Sequence, residues 1–577
     1  MPPPKRWILP SPDEAGIAAL AGASGLTLPA ARVLWHRGYQ DPEAVRRYLQ
    51  PSLDDLPEPW RMRGMRAAVD RLRAAIGGHE KILLYGDYDV DGTTSIVILK
   101  KAIELAGGVA DFHVPHRLRD GYGMRTEVIE RASLDGVSLI ISVDTGIRAL
   151  EVVRRARELA LDVIVTDHHL PENELPAAVA VLNPNQPGCD YPNKNLCGAG
   201  VAFKLVQGLL ETLDWPEAKR RRLAESFLKM VAVATVADVV PLTGENRVIV
   251  KHGLAGLDTV RNPGLRALLE VAGFAPGERP SSNQVAFRVA PRINAAGRMA
   301  SADDVIHLFL TDDPERARAI AGQLHNLNQD RQQAEAGTLD SVLEQCLQTP
   351  VTDGQAGLVF AGEDWHRGVV GIVASRVVDR FCRPAFVLGI DRDQGEAQGS
   401  GRSIAGFHLL EALESMAGLF TRFGGHRQAA GVSLPVDRLE EFRQRFNDYA
   451  RARLGPEDFR PRLEIDAAIE LAEINERAIA DLLRLAPFGH GNAPPLFAAL
   501  GVELPDAPVV WKEKHLMARL RQHGRTLVVK AWNLAELAGE FAAGSRVDAA
   551  LSIEEDRFGA SRGLPGWSVT LRDLRAA

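Results

Sequence analysis

Lys81-Ile82-Leu83-Leu84-Tyr85-Gly86-Asp87-Tyr88-Asp89-Val90-Asp91-Gly92 decides how this chain is read. The apolar run 81–85 has the length and composition of a buried β-strand, and it ends in three alternating carboxylates and a glycine turn. Two more apolar runs end in a similar way. Val137-Ser138-Leu139-Ile140-Ile141-Ser142 leads into Val143-Asp144-Thr145-Gly146, and Leu161-Asp162-Val163-Ile164-Val165 leads into Thr166-Asp167-His168-His169. A fourth acidic segment, Ala237-Asp238, follows residues 230–236, a stretch that fits strand or helix. Helical patterns over 94–105 and 148–159 follow the first two runs. The units are therefore βα repeats, which predicts an α/β fold with a parallel sheet. Ligands of such sheets bind outside the carboxyl ends of the strands. The acidic segments converge there, and carboxylates brought so close repel one another unless cations lie among them. The pattern predicts a binuclear metal centre and hydrolytic chemistry.

Two other accounts of the aspartates do less well. A calcium loop beginning at Asp87 needs a bidentate Glu at its twelfth position, and that position is Ile98. Helix capping by each Asp after its strand explains one aspartate but not four such segments. Mixed carboxylate and imidazole ligands suit Mn²⁺, Mg²⁺ or Co²⁺ better than soft metals. Two such ions about 3.5–4 Å apart bind phosphoryl oxygens, acidify water and stabilise a leaving oxygen.

Bulk properties set the frame. The chain has 577 residues, room for roughly three or four domains of about 150 residues. No apolar run reaches the roughly 18 residues of a membrane span, and residues 1–6 do not resemble a secretory leader. The four cysteines, Cys189, Cys197, Cys346 and Cys382, fit neither a zinc spacing nor a disulfide framework. A reducing, cytoplasmic setting is expected. A net charge of −7 excludes a surface coated in positive potential but leaves room for a local cationic groove. The excess of arginine over lysine suits bidentate phosphate contacts, although a GC-rich genome produces the same bias.

The expected organisation is an N-terminal helical segment (1–76), the first α/β domain (77–312), a long connecting helix (313–348), a second, smaller α/β domain (349–456) and a C-terminal β-barrel (457–577). The connecting helix shows only a polar pattern with one apolar stripe. In the second domain, Trp365 to Arg376 opens a helix whose N-terminus suits an anion. Gly399-Ser400-Gly401-Arg402-Ser403 and Phe423-Gly424-Gly425-His426 have small residues that let backbone N–H groups approach phosphate; tight turns without a ligand are the plain alternative. In the tail, Lys512, Lys514, His515, Arg519, Arg521 and Arg525 form a candidate cationic track, with no aromatic series among them.

These motifs resemble those of the DHH phosphoesterases, and nearly the whole chain takes part. Besides the four acidic segments, the resemblance includes Asp120-Gly121-Tyr122-Gly123, Asn183-Pro184-Asn185, Gly198 to Phe203, Asp238 to Leu242 and Pro291 to Arg298. It extends to the associated DHHA1-type domain and an OB-type barrel, as in the superfamily's single-strand-specific 5′→3′ DNA exonucleases. The resemblance implies that Asp91, Asp144, His168 and Asp238 hold one ion. Asp89 and Asp144, with Asp87, would hold the other, and Asp144 would bridge. The second set departs from related pyrophosphatases, which supply a His four residues before the position of Asp89, where this chain has Tyr85, and this bears on Asp87. His169 would contact the scissile phosphate, as donor to the developing charge or as general acid, and Asp167 would support the histidines. Arg117, Ser400 and Arg402 would hold the 5′ end and Arg298 a phosphate near the ions. Tyr122 would stack on a base, with ordinary packing as its alternative, and Gly425 and His426 would line the groove. The implied cofactor is two Mn²⁺, with Mg²⁺ as substitute. The implied partners are single-stranded DNA, single-strand-binding protein and a RecQ-type helicase, for a monomer without membrane association. Competing readings are a short-oligonucleotide or cyclic-dinucleotide phosphodiesterase and a non-catalytic single-strand-binding scaffold.

Overall fold

The computed structural model describes residues 5–577 except positions 12, 118, 353 and 561, and the side chains of Arg557 and Phe558 also lie outside it. The chain forms two compact units that are not consecutive in sequence. One contains 57–240 and 252–461; the other contains 5–56, 241–251 and 462–577.

The first unit holds two sheets. The five strands of the first are all parallel, in the order Val109–His113, Lys81–Gly86, Val137–Val143, Asp162–Thr166, Ala180–Leu182. Register decides the site. Gly86 pairs with Val143 and Val143 with Thr166, so Asp87, Asp144 and Asp167 leave adjacent strands at one level. The stretch before Asp238, open between strand and helix in sequence, belongs to the helix Glu217–Ala237. The helix Pro314–Gln348 leads to the second sheet. In that sheet Leu358–Glu363 and Ala385–Asp391 run parallel, and Glu396–Arg402, Ala429–Pro435 and Arg422–Gly425 continue antiparallel.

The second unit is a seven-stranded sheet curled into a partly closed ring. Its closing pair joins Leu496–Glu503 to His515–Gln522 through Glu503 and Arg521. The first helices of the chain, Glu14–Ser24, Leu28–His36 and Pro42–Leu49, belong to this unit. Their residues Leu20, Val33, Leu34 and Val45 share one core with Phe497, Leu516 and Val547 of the barrel. Arg6–Ile8 adds a short parallel pairing with Arg462–Glu464, which no sequence pattern suggested. Among the described residues, no single helix is long and apolar enough to cross a membrane.

Candidate metal centre

Each acidic side chain is held by a local device. Asp89 caps the helix Val90–Leu105, its Oδ1 accepting from the N–H groups of Asp91 at 2.9 Å and Gly92 at 3.0 Å. Capping thus occupies one oxygen of Asp89. The turn is tight enough that a Cβ on Gly92 would lie 2.5 Å from the Asp87 carbonyl oxygen. Asp91 accepts from the N–H groups of Gly198 at 2.5 Å and Ala199 at 2.7 Å, the first residues of the helix Gly198–Glu211, where the dipole favours an anion. Asp144 sits in the left-handed region at φ 58°, with its N–H donated to the Thr166 carbonyl at 2.9 Å. A Cβ on Gly198 would be 2.7 Å from the Asp144 Cβ, so glycine is needed where this aspartate turns inward. Asn185 Nδ2 donates to the His168 carbonyl and Asn183 Nδ2 to that of His169, both at 2.9 Å.

These devices bring the side chains together. His168 Nε2 lies 3.2 Å from Asp144 Oδ1 and 3.8 Å from both Asp91 Oδ2 and Asp238 Oδ2. Three groups have ligand atoms within 4.8 Å of one another: Asp91, His168 and Asp238; Asp87, Asp89 and Asp144; and Asp144, His168 and His169. Asp144 Oδ1, His168 Nε2 and Asp238 Oδ2 are buried without a hydrogen-bond partner. A buried polar atom left so is costly, and two carboxylate oxygens 3.2 and 3.8 Å from the His168 nitrogen, none of the three partnered, fit a cation. The residues can hold metal ions.

Electrostatics agree. Burial, then the neighbouring carboxylates, pushes Asp87 and Asp144 well above the usual carboxylate range and Asp238 up to about 9. Burial also raises Asp91, partly offset by His168. Burial lowers His168, leaving a neutral ring suited to ligation. Asp167 and His169 behave oppositely. Burial opposes both charges, but their 2.7 Å contact outweighs it, so Asp167 falls and His169 rises.

The predicted strand-binding residues lie in the same unit. Arg298 donates to the Gly368 carbonyl at 3.0 Å. Burial, then Arg117, Arg331 and Arg402, pushes its pKa down to about 10, so four guanidiniums crowd one region, and their summed charge favours an anion. The Arg117 guanidinium also lies over the Tyr88 ring at 4.9 Å. Ser400 and Arg402 are on a central strand, not a loop. That strand is paired on both sides, so its N–H groups are committed to the sheet. Only the side chains are left to meet a ligand there, which corrects the reading of 399–403 as a backbone cradle. Gly399 and Gly401 serve packing: a Cβ would lie 2.0 Å from the Val387 carbonyl oxygen and 2.5 Å from the Phe386 ring, respectively. Gly425 likewise approaches the Ala429 carbonyl, where a Cβ would come within 2.4 Å. The Tyr122 hydroxyl is 3.4 Å from both His169 Nδ1 and the Asp144 carbonyl, with its ring half-exposed.

Sequence reasoning missed several residues. Arg148 Nη1 contacts His426 Nε2 at 3.2 Å; nothing in its neighbours marked it. Arg331 entered only as part of a polar helix. On the barrel, exposed Trp511 and Trp532 flank His515, with ring centroids 5.6 Å and 4.8 Å away. They are distant in sequence and meet only when the strands pair. Of the expected cationic track, Arg519 pairs with Asp506 and Arg521 with Glu503.

Comparison with known proteins fits this geometry. The DHH family N-terminal domain matches residues 81–235, the DHHA1 domain 354–452 and the RecJ OB domain 465–564. Those modules, with the acidic centre, define a DHH-type protein with DHHA1 and OB domains. The single-stranded-DNA-specific exonuclease RecJ of Bacillus subtilis strain 168 is 38% identical over 543 residues, spanning 94% of this chain and 67% of the relative. That of Escherichia coli K12 is 38% identical over 482 residues, 81% of this chain and 82% of the relative. A crystal structure of Thermus thermophilus RecJ in complex with Mn²⁺ superposes with a TM-score of 0.83 at 32% identity, covering 99% of this chain and 80% of that one. The chain belongs to the RecJ family.

Proposed function

We propose that this chain is a metal-dependent exonuclease that hydrolyses single-stranded DNA from the 5′ end and releases 5′-mononucleotides, acting in DNA repair and recombination. As a RecJ-family member it is a metal-dependent hydrolase of DNA phosphodiester bonds. One observation carries the reading. Three unpartnered ligand atoms, on Asp144, His168 and Asp238, converge in the unit that also holds the crowded guanidiniums of Arg117, Arg298 and Arg402.

Asp91, Asp144, His168 and Asp238 would hold one Mn²⁺, and Asp87, Asp89 and Asp144 a second, with Mg²⁺ as substitute. RecJ structures with each ion support both metals. When bound, the ions supply positive charge at the phosphoryl oxygens and a water acidic enough to attack phosphorus. The side chains do the rest. Asp167 fixes His169 through Nδ1 and favours its protonated form, leaving Nε2 to donate to the developing charge or to the leaving 3′ oxygen. Arg117, Ser400 and Arg402 hold the 5′ end and so set exonucleolytic cleavage, while Arg298 takes a neighbouring phosphate. Tyr122 offers its exposed ring to a base. Gly425 lets its strand turn close against Ala429, which places His426 at the groove. The four free cysteines suit a cytoplasmic setting.

The test uses end-labelled single strands blocked at either end, with and without Mn²⁺. Mn²⁺-dependent release of mononucleotides from strands with a free 5′ end is expected. Digestion from the 3′ end, or cleavage only of two- to five-nucleotide substrates, would overturn the reading.

A further inference from the structure

We propose that Arg148 is a further strand-binding residue, holding a backbone phosphate of the DNA together with His426. The inference rests on the single-strand reading above and names a contact within that groove.

The root of Arg148 is fixed to the metal-binding loops. The preceding residue, Ile147, donates its N–H to Asp167 Oδ2 at 2.9 Å, and the other oxygen of that carboxylate holds His169 at 2.7 Å. The guanidinium then grips the residue after His169: Nε and Nη2 donate to the Leu170 carbonyl at 3.1 and 2.9 Å. This leaves Nη1 directed at His426 Nε2, 3.2 Å away. His426 follows the strand Arg422–Gly425 and donates its own N–H to the Ala429 carbonyl at 2.8 Å. Arg148 lies in the DHH match and His426 in the DHHA1 match, so the contact joins the two α/β modules of one compact unit.

Such a pairing is a poor choice for a structural bridge. Arginine only donates, so His426 must present a bare Nε2 and stay neutral. Partial desolvation against its neighbours, then Arg148, holds the His426 pKa below its ordinary value, with His169 and His408 adding to the effect. Two side chains able to carry positive charge therefore face each other. A phosphate bridging them from the solvent side would accept from Nη1 with one oxygen and, once Nε2 carries a proton, from the imidazole with another, both charge-assisted contacts. Access is available: His426 is exposed and the Arg148 side chain is 37% exposed. Glu172 approaches from the Nε edge at 3.9 Å, leaving Nη1 unscreened. Because the guanidinium is anchored one residue beyond His169, the phosphate it takes is one adjoining the scissile phosphate.

The test measures binding of the full chain to a 5′-phosphorylated single strand in chelator, where cleavage is off, across a salt series. Arg148→Met is expected to weaken binding roughly 5- to 20-fold at low salt. It should also flatten the slope of log affinity against log salt by about 0.7, one phosphate contact on a single strand. Arg148→Lys should keep the slope, and Arg148→Gln replaces the Met variant should that misfold. In combination with His426→Ala the losses should be less than additive. A merely structural bridge would leave the salt slope unchanged. Wild-type affinity and slope in Arg148→Met, with Arg402→Met impaired, would overturn the role of Arg148 alone. Failure of the wild-type protein to bind single strands, or no effect of either variant, would sink the strand-binding reading together with this proposal.

Discussion

Asp167 Oδ1 lies 2.7 Å from His169 Nδ1, and the same oxygen accepts the backbone N–H groups of His168 at 2.7 Å and His169 at 3.1 Å. One carboxylate thus orients both the ring proposed to contact the phosphate and the peptide of His168, a proposed metal ligand. Asp167→Asn should lower kcat by about 10- to 100-fold, the usual cost of losing such a supporting group. The contact raises the His169 pKa, so its loss should also move the alkaline limb of the pH–rate profile to lower pH. Steady-state rates across pH check both; an unmoved limb at wild-type kcat would contradict the role.

Gly198 tests the packing of the centre. Its Cα hydrogen faces the Asp144 side chain, and a methyl group there would come within 2.7 Å of Asp144 Cβ. Gly198→Ala should weaken Mn²⁺ binding by about 10- to 100-fold with little change in thermal melting. Titration calorimetry would reveal it, and wild-type affinity would argue against so close an approach.

The metal-free protein should lose stability as pH rises. Asp87, Asp91, Asp144 and Asp238 are all raised in the folded chain, Asp238 to about 9. Between roughly pH 4, where unfolded aspartates lose their protons, and the folded values, the native state binds more protons than the unfolded state. Stability therefore falls with rising pH across that window. Bound cations replace those protons, so Mn²⁺ should raise the melting temperature more at pH 8 than at pH 5. Melting curves with chelator and with Mn²⁺ decide the point; a flat chelator series would contradict it.

On the barrel, Trp511→Ala and Trp532→Ala should each weaken binding of a long single strand by about 1–3 kcal/mol if bases stack there. Lys512 Nζ, 4.8 Å from the Trp511 ring, adds a cation to the same face. Fluorescence anisotropy with strands of increasing length measures this, and unchanged affinity for long strands would assign that face another use.

The sheet and its ligands were legible because they are local. A buried parallel strand reads as an apolar run, and the residue that ends it stands at the ligand edge. What stayed hidden depends on long-range packing. The helix before Asp238 is buried over residues 231–236, and a stretch that is apolar but for Thr235 carries no period to separate helix from strand. The first three helices join the barrel core because their apolar faces need partners that lie over 400 residues away in the chain. Ser400 and Arg402 were visible as residue types, but Gly399 and Gly401 read as a backbone cradle for phosphate because close packing against Val387 and Phe386 calls for the same glycines. Arg148 gave no signal, since its partners are the Leu170 carbonyl, Glu172 and a histidine 278 residues away.

Asp144 belongs to two of the ligand clusters and stands 3.2 Å from His168, so the account rests on it most heavily. The most direct measurement is the rate of single-strand cleavage by Asp144→Ala in saturating Mn²⁺, beside its single-strand affinity in chelator. The account predicts that cleavage falls by at least about 1000-fold while strand binding is largely retained. Cleavage near the wild-type rate would contradict a composite centre bridged by Asp144.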